Sequence, residues 1–210
     1  MNNLRLGLAA LLFTTASGMT STASAADEST TLALLDANYD QTVSVAQKLW
    51  DYAEVGYLET KSSELLQATL AEQGFHIRQH VAGIPTAFVA EYGQDGPVIA
   101  ILAEFDALPG INQSAQATRD PISGKTAGHA CGHNLFGAGS LTAAIAIKQW
   151  LEATGTPGRV RLYGTPAEEG GSGKVYMVRE GLFDDVDFTV DWHPSDRNSA
   201  AARTTLANRS

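Results

Sequence analysis

A thiol and an imidazole two residues apart, Cys131 and His133, are the side chains in this sequence best suited to grip a metal ion. In an extended segment, residues i and i+2 point to the same side, so both can face one site. Thiolate and imidazole suit zinc and other borderline divalent ions. The alternative for this cluster is a buried cysteine beside a helix start. A second candidate is the adjacent pair Glu168-Glu169, followed by Gly170-Gly171. Metal-assisted hydrolysis needs one carboxylate on the metal and another, unligated, to carry a proton from water to a leaving group. Adjacent residues in an extended turn diverge, which assigns Glu168 as general base and acid and Glu169 as ligand; the plain alternative is a solvated charge pair. His193, between Trp192 and Pro194, is either a ligand or a packed ring, and its company favours the ligand. Asp106 joins Glu168 in the catalytic group by orienting a ligand or bridging ions; otherwise it is a turn residue before Pro109. His129 is left as an outer partner or a loop residue.

These residues fall at the ends of predicted strands, where open α/β sheets place their ligand sites. Apolar spacing predicts helices over residues 31–52 and 61–73, the second ended by Gly74. A β-type run over 86–92, the turn Gln94-Asp95-Gly96-Pro97 and the wholly apolar run Val98 to Ala103 suit a buried sheet. Residues 108–132, rich in Gly, Ser, Thr, Asn and Pro, form a connection too long to be idle. Asn134 is placed to cap a helix over 135–152. A strand over 159–164, a short helix over 173–180 and a strand over 187–191 complete an alternating order. That order predicts an α/β fold with a mostly parallel central sheet flanked by helices.

With 44% hydrophobic residues among 210, the chain can bury one ordinary core. A net charge of −9 without a Lys/Arg cluster excludes an electrostatic footprint for nucleic acid or an anionic membrane, and leaves a small molecule as the expected partner. Residues 1–25 read as an export signal: Arg5, the apolar stretch Leu6 to Phe13, and small residues at Ala23-Ser24-Ala25. A periplasmic or secreted location follows as the expectation. The apolar run is far shorter than the roughly 20 residues that span a bilayer. Cys131 is the single cysteine, so no internal disulfide can form.

The ordered motifs Ile84-Pro85-Thr86-Ala87-Phe88, Glu104-Phe105-Asp106-Ala107-Leu108-Pro109, Gly128-His129-Ala130-Cys131-Gly132-His133-Asn134, Pro166-Ala167-Glu168-Glu169-Gly170-Gly171-Ser172-Gly173-Lys174, Val178-Arg179-Glu180-Gly181, Trp192-His193-Pro194 and Thr205-Leu206-Ala207-Asn208 resemble the aminoacylase and carboxypeptidase group of two-metal peptidases. Within it, they are similar to the amidohydrolase branch of hippurate and auxin-conjugate hydrolases, and most of all to its p-aminobenzoyl-glutamate hydrolase type. The resemblance implies a zinc-peptidase-like catalytic domain and two divalent ions, zinc, manganese, nickel or cobalt. It implies Cys131, His133, Glu169 and His193 as ligands and Glu168 as the catalytic carboxylate. Glu104 stands where other branches carry a histidine, and the Cys-His cluster looks like this branch's substitute for it. The implied substrate is an N-acyl amino acid, p-aminobenzoyl-glutamate-like, or a dipeptide. The implied assembly is a homodimer or a pair with a homologous subunit. The expected layout is a signal over 1–25, an N-terminal part of the catalytic domain over 26–195, and a segment over 196–210 leading toward a dimerisation domain and a further histidine ligand. As an incomplete domain, the chain is expected to be inactive alone. The other readings are a non-catalytic metal- or ligand-binding remnant of such an enzyme, and a Cys131 nucleophile with a histidine base.

Overall fold

The structure, a computed structural model, describes residues 28–199; the export signal expected over 1–25 and Thr205-Leu206-Ala207-Asn208 lie outside the described residues, as does all of the 196–210 segment after 199. Element order is α1 (Glu28–Ala37), α2 (Tyr39–Tyr52), α3 (Thr60–Glu72), β1 (His76–Gln79), β2 (Phe88–Tyr92), β3 (Val98–Ala103), β4 (Leu108–Pro109), β5 (Ala127–Gly128), α4 (His133–Thr154), β6 (Arg159–Gly164), the one-turn α5 (Glu168–Gly171), α6 (Gly173–Arg179) and β7 (Phe188–Val190). The main sheet runs β1-β2-β6-β3-β7. Its β6, β3 and β7 are mutually parallel, in register from Val98 opposite Arg159 to Ala103 opposite Gly164. β2 and β1 extend it antiparallel.

The apolar run of β3 is buried on both faces, as a central strand should be. Ile101 and Ala103 pack with Leu49 of α2, Leu66 and Leu70 of α3, and Leu141 and Ile145 of α4. Ala100 and Leu102 face the other way, with Tyr163, Phe136 and Met177 of α6. The period-2 alternation thus builds two cores, one on each side of the sheet. Each fully buried Leu or Phe contributes about 1.5–3 kcal/mol of apolar burial. Among the described residues, no helix is long and apolar enough to cross a membrane.

Several local expectations need correction. The helix predicted over 31–52 is two helices, broken at Asn38, whose side-chain amide donates to Leu34 O (2.7 Å) and Gln149 Oε1 (3.1 Å). Asn134 does not cap α4. The helix starts two residues earlier, after Gly132 in the left-handed region (φ 90°), and the Asn134 amide donates to Ala46 O instead (3.3 Å). β1 is not legible in the sequence at all, because His76-Ile77-Arg78-Gln79 is polar and mostly exposed, with no alternation to read. The long connection over 108–132 is pinned by the β4–β5 ladder and by Asn112, which donates to Lys125 O (2.5 Å) and accepts from Ile122 N (2.5 Å).

Candidate metal centre

The C-terminal ends of β3, β6 and β7 and the start of α4 converge on one place. Glu104 and Asp106 follow β3, Glu168 and Glu169 follow β6, His193 follows β7, and His133 is the first residue of α4. His133 is fully buried. Its Nδ1 lies 2.9 Å from Asp106 Oδ1 and 3.0 Å from Asp106 O. Two acceptors on that side make Nδ1 a donor and direct Nε2 into the site, where displacement of its proton would free a lone pair for an ion. Nε2 is 2.9 Å from Glu104 Oε2, 3.9 Å from Glu169 Oε1 and 4.0 Å from Glu168 Oε2. Yet among the described residues it makes no hydrogen bond of acceptable geometry, and neither does the buried Glu169 Oε1.

His193 is oriented in the same way. Its Nδ1 donates to Pro194 O (2.9 Å), and its Nε2 lies 3.4 Å from Cys131 Sγ. Trp192 fixes that segment by donating from its indole to Ser140 Oγ (3.1 Å) and packing edge-on to Phe136. Two donor sets result, Cys131/His133/His193 and Glu104/His133/Glu168, each with ligand atoms within 4.8 Å of one another and with His133 common to both. A buried imidazole nitrogen and a buried carboxylate oxygen without partners, in a mixed S/N/O donor set, fit a pair of borderline divalent ions.

The charge balance points the same way. Burial pulls the His133 imidazole down, but the bond to Asp106 and the Glu104 carboxylate close to Nε2 outweigh it and hold its pKa up at about 10. Burial, with Glu169, Glu168 and Glu104 nearby, pushes the Cys131 thiol up to about 12. Burial and Glu104 raise Glu168. Glu104 is also pushed up by burial, yet His133 and Lys174 bring it below the usual carboxylate range. A dense acidic cluster that a single lysine and a protonated histidine balance is a site short of positive charge.

All six sequence-predicted residues therefore reach one site. Asp106 touches both sides of it, since its Oδ2 accepts from the Glu169 backbone N–H (2.8 Å). His129 does not join the donors; it is buried, with Nε2 3.0 Å from Leu49 O at the end of α2. Three residues gained no role from the sequence. Glu104 stands inside the second donor set, and its place at a strand end was the available signal. Lys174 pairs with Glu104 (2.5 Å). Glu59 lies on the far side of the Glu168-Glu169 turn, and no local pattern marks it.

The sequence model of peptidase family M20/M25/M40 matches residues 100–205, half of the chain, which takes in every one of these donors. The chain belongs to that family. It is 45% identical over 175 residues to a p-aminobenzoyl-glutamate hydrolase subunit of Escherichia coli K12, covering 83% of this chain and 36% of that relative. It is 31% identical over 170 residues to the Xaa-Arg dipeptidase of Mus musculus, covering 75% and 36%. The chain thus spans little more than a third of the length of these curated relatives. Among solved structures, a dinuclear metal-binding M20 peptidase from Bacillus subtilis superposes with a TM-score of 0.63 at 27% identity, over 73% of this chain and 42% of that one. An aminobenzoyl-glutamate utilization protein from Klebsiella pneumoniae shares the fold, with a TM-score of 0.55 at 21% identity over 76% and 45%. The M20 fold and the strand-end cluster of metal donors are thus found together in one chain.

Proposed function

We propose that this chain supplies the dinuclear metal centre of an amidohydrolase that cleaves the amide bond of an N-acyl amino acid, p-aminobenzoyl-glutamate-like, or of a dipeptide. The observation that carries this reading is the buried His133 Nε2 at the strand ends, with Glu104 Oε2 2.9 Å away, facing thiol, imidazole and carboxylate donors at once. Cys131, His133, Glu169 and His193 would hold the ions, with Glu104 within reach of His133; Glu168 also stands in a donor set, and the buried Glu169 Oε1 without a hydrogen bond is what favours Glu169 as the ligand. When bound, two divalent cations, drawn from zinc, manganese, nickel and cobalt, supply Lewis acidity toward the scissile carbonyl and an acidified water. The remaining work belongs to side chains. Glu168, half-exposed and raised by burial and Glu104, takes the proton of the attacking water and returns it to the leaving nitrogen. Asp106 keeps the His133 tautomer fixed and holds the Glu169 backbone.

A groove of about 850 Å³ opens beside Cys131, lined by Val43, Ala46, Trp50, His129 and Leu135 among others. It gives a small acyl or aryl group room next to the donors. Cys131 as nucleophile is disfavoured: His193 is near enough, but a thiol held at about 12 is not a thiolate at neutral pH. Export is supported by the pattern of residues 1–25, and pairing with a second copy or a homologous partner by the E. coli relative's being named one subunit of its hydrolase.

The test is Glu168→Gln in the protein expressed from its full reading frame. Turnover of an N-acyl amino acid and dipeptide panel should fall by roughly a thousandfold or more, with metal content unchanged. Loss of metal instead would exchange the roles of Glu168 and Glu169. Metal-loaded wild type that cleaves nothing in the panel would favour a metal-binding remnant.

A further inference from the structure

Two acids stand just before α3, and they behave differently. Glu54 caps the helix, its carboxylate accepting from Lys61 N (3.1 Å), Ser62 N (2.9 Å) and Ser62 Oγ (2.8 Å). Glu59 occupies the N-cap position yet makes no side-chain capping bond. Its carboxylate points inward and is fully buried. Oε1 accepts from the backbone N–H of Ala167 (2.8 Å), and Oε2 accepts from Thr86 Oγ1 (2.9 Å). Burying a carboxylate is costly, and a helix that already has Glu54 does not need it. The reason must lie at the other end of its hydrogen bonds.

That end is the turn that carries Glu168 and Glu169. Ala167 and Ser172 bracket it, both in the left-handed region (φ 57° and 56°), which L-residues with a Cβ avoid. Such a turn persists only when its surroundings hold it. Three contacts do so. Glu59 takes the Ala167 N–H at its entrance, Asp106 takes the Glu169 N–H inside it, and Tyr57 Oη donates to Gly171 O at its exit. The segment that bears Tyr57 and Glu59 is itself tied to the end of β3, where Ala107 N donates to Glu54 O (2.8 Å) and Val55 bridges to Ala107.

Resting on the proposed metal centre, we infer that Glu59 is a positioning residue: by holding Ala167 N–H it sets the strained turn that aims the Glu168 and Glu169 carboxylates. It touches neither substrate nor ion. Glutamine can keep both contacts, its amide oxygen accepting from Ala167 and its NH2 donating to the Thr86 hydroxyl. Alanine cannot, and aspartate is one methylene too short.

Cobalt binding, read by affinity and by the visible d–d spectrum, and amide exchange over residues 167–171 of the ion-free chain test this. Glu59→Ala and Glu59→Asp should weaken cobalt binding by about tenfold or more, alter its spectrum and speed exchange at Ala167, as losses of outer-shell partners do. Glu59→Gln should stay within about threefold on each measure, and Thr86→Val, which frees one carboxylate oxygen, should lie between. A folded Glu59→Ala or Glu59→Asp with wild-type affinity, spectrum and exchange overturns the inference. So does a Glu59→Gln as impaired as alanine. If neither truncation folds, Thr86→Val decides, and wild-type behaviour in it is the overturning result. Wild type that binds no cobalt defeats the metal centre alone, since slower Ala167 exchange with Glu59 than without it would still uphold the inference.

Discussion

The two ends of one sheet are built on opposite rules. At the end where β3 and β6 begin, the backbone is closed by its own partners, and of the side chains there only Arg159 Nε is buried without a hydrogen bond among the described residues: Arg159 N donates to Pro97 O (2.8 Å), Val98 N to Asp187 Oδ2 (2.8 Å), and Asp187 N to Val98 O (3.1 Å). The buried Arg161 beside it meets both oxygens of Asp185 (2.7 and 3.0 Å), the hydroxyl of Tyr163 and the carboxylate of Glu91. At the end where the same strands stop, Glu104, Asp106, Glu168 and Glu169 crowd around His133, and among the described residues His133 Nε2 and Glu169 Oε1 are left without hydrogen bonds. The first end is closed almost entirely by its own atoms. The second is left open in the way a site for a cation would be, which on the proposed function puts stability and chemistry at opposite ends of the same strands.

That contrast breaks most easily at His133, the residue shared by both donor sets. His133→Ala should lower ion affinity by roughly a thousandfold, about 4 kcal/mol, read by competition with a metallochromic indicator. A loss under tenfold would mean that the two sets do not share a ligand. Ion uptake must also displace protons, since His133 stays protonated up to about 10 and Cys131 up to about 12 without metal. Affinity should therefore climb with pH across the neutral range, with proton release measurable in weakly buffered solution. A flat profile would contradict the assigned ligands.

His129 gives the site end a second, smaller signature. Burial, outweighing the bond to Leu49, lowers its pKa from 6.5 to about 4. The unfolded chain takes up that proton first, so the contribution is complete above 6.5 and lost as pH falls toward 4. The loss is about 3 kcal/mol at ~1.4 kcal/mol per pKa unit. Urea unfolding of ion-free protein at both ends of that window should show it, and His129→Gln should remove it. Equal pH dependence in the variant would place the acid sensitivity elsewhere.

The closed end should answer only in stability. Gly96 has φ 85°, and a Cβ there would lie 2.8 Å from Pro157 C and O. Gly96→Ala should cost about 2 kcal/mol in denaturant unfolding, with ion affinity per folded molecule unchanged. A shift in affinity would show the two ends to be mechanically coupled.

Much of this layout is written locally in the chain. The apolar run from Val98 to Ala103 and the acids and histidines after each strand announce a buried strand and its site, because period and punctuation are properties of neighbours in sequence. What escaped depends on distant partners. Asn38 breaks a helix by reaching Gln149, and Glu59 looks like an ordinary helix-start acid until Ala167, 108 residues away, is placed beside it. The polar strand β1 exists because β2 offers it an edge, register His76 to Glu91, and not because its residues favour extension.

Cys131 carries one more consequence of the crowded end. A thiol whose pKa is pushed to about 12 by burial and three glutamates is almost wholly un-ionised in neutral solution, and un-ionised thiols react slowly with peroxide or alkylating agents. The acids that make the place hungry for cations also keep its only sulfur chemically quiet. An ion-free molecule can therefore wait in an oxidising milieu without spoiling the ligand it will need.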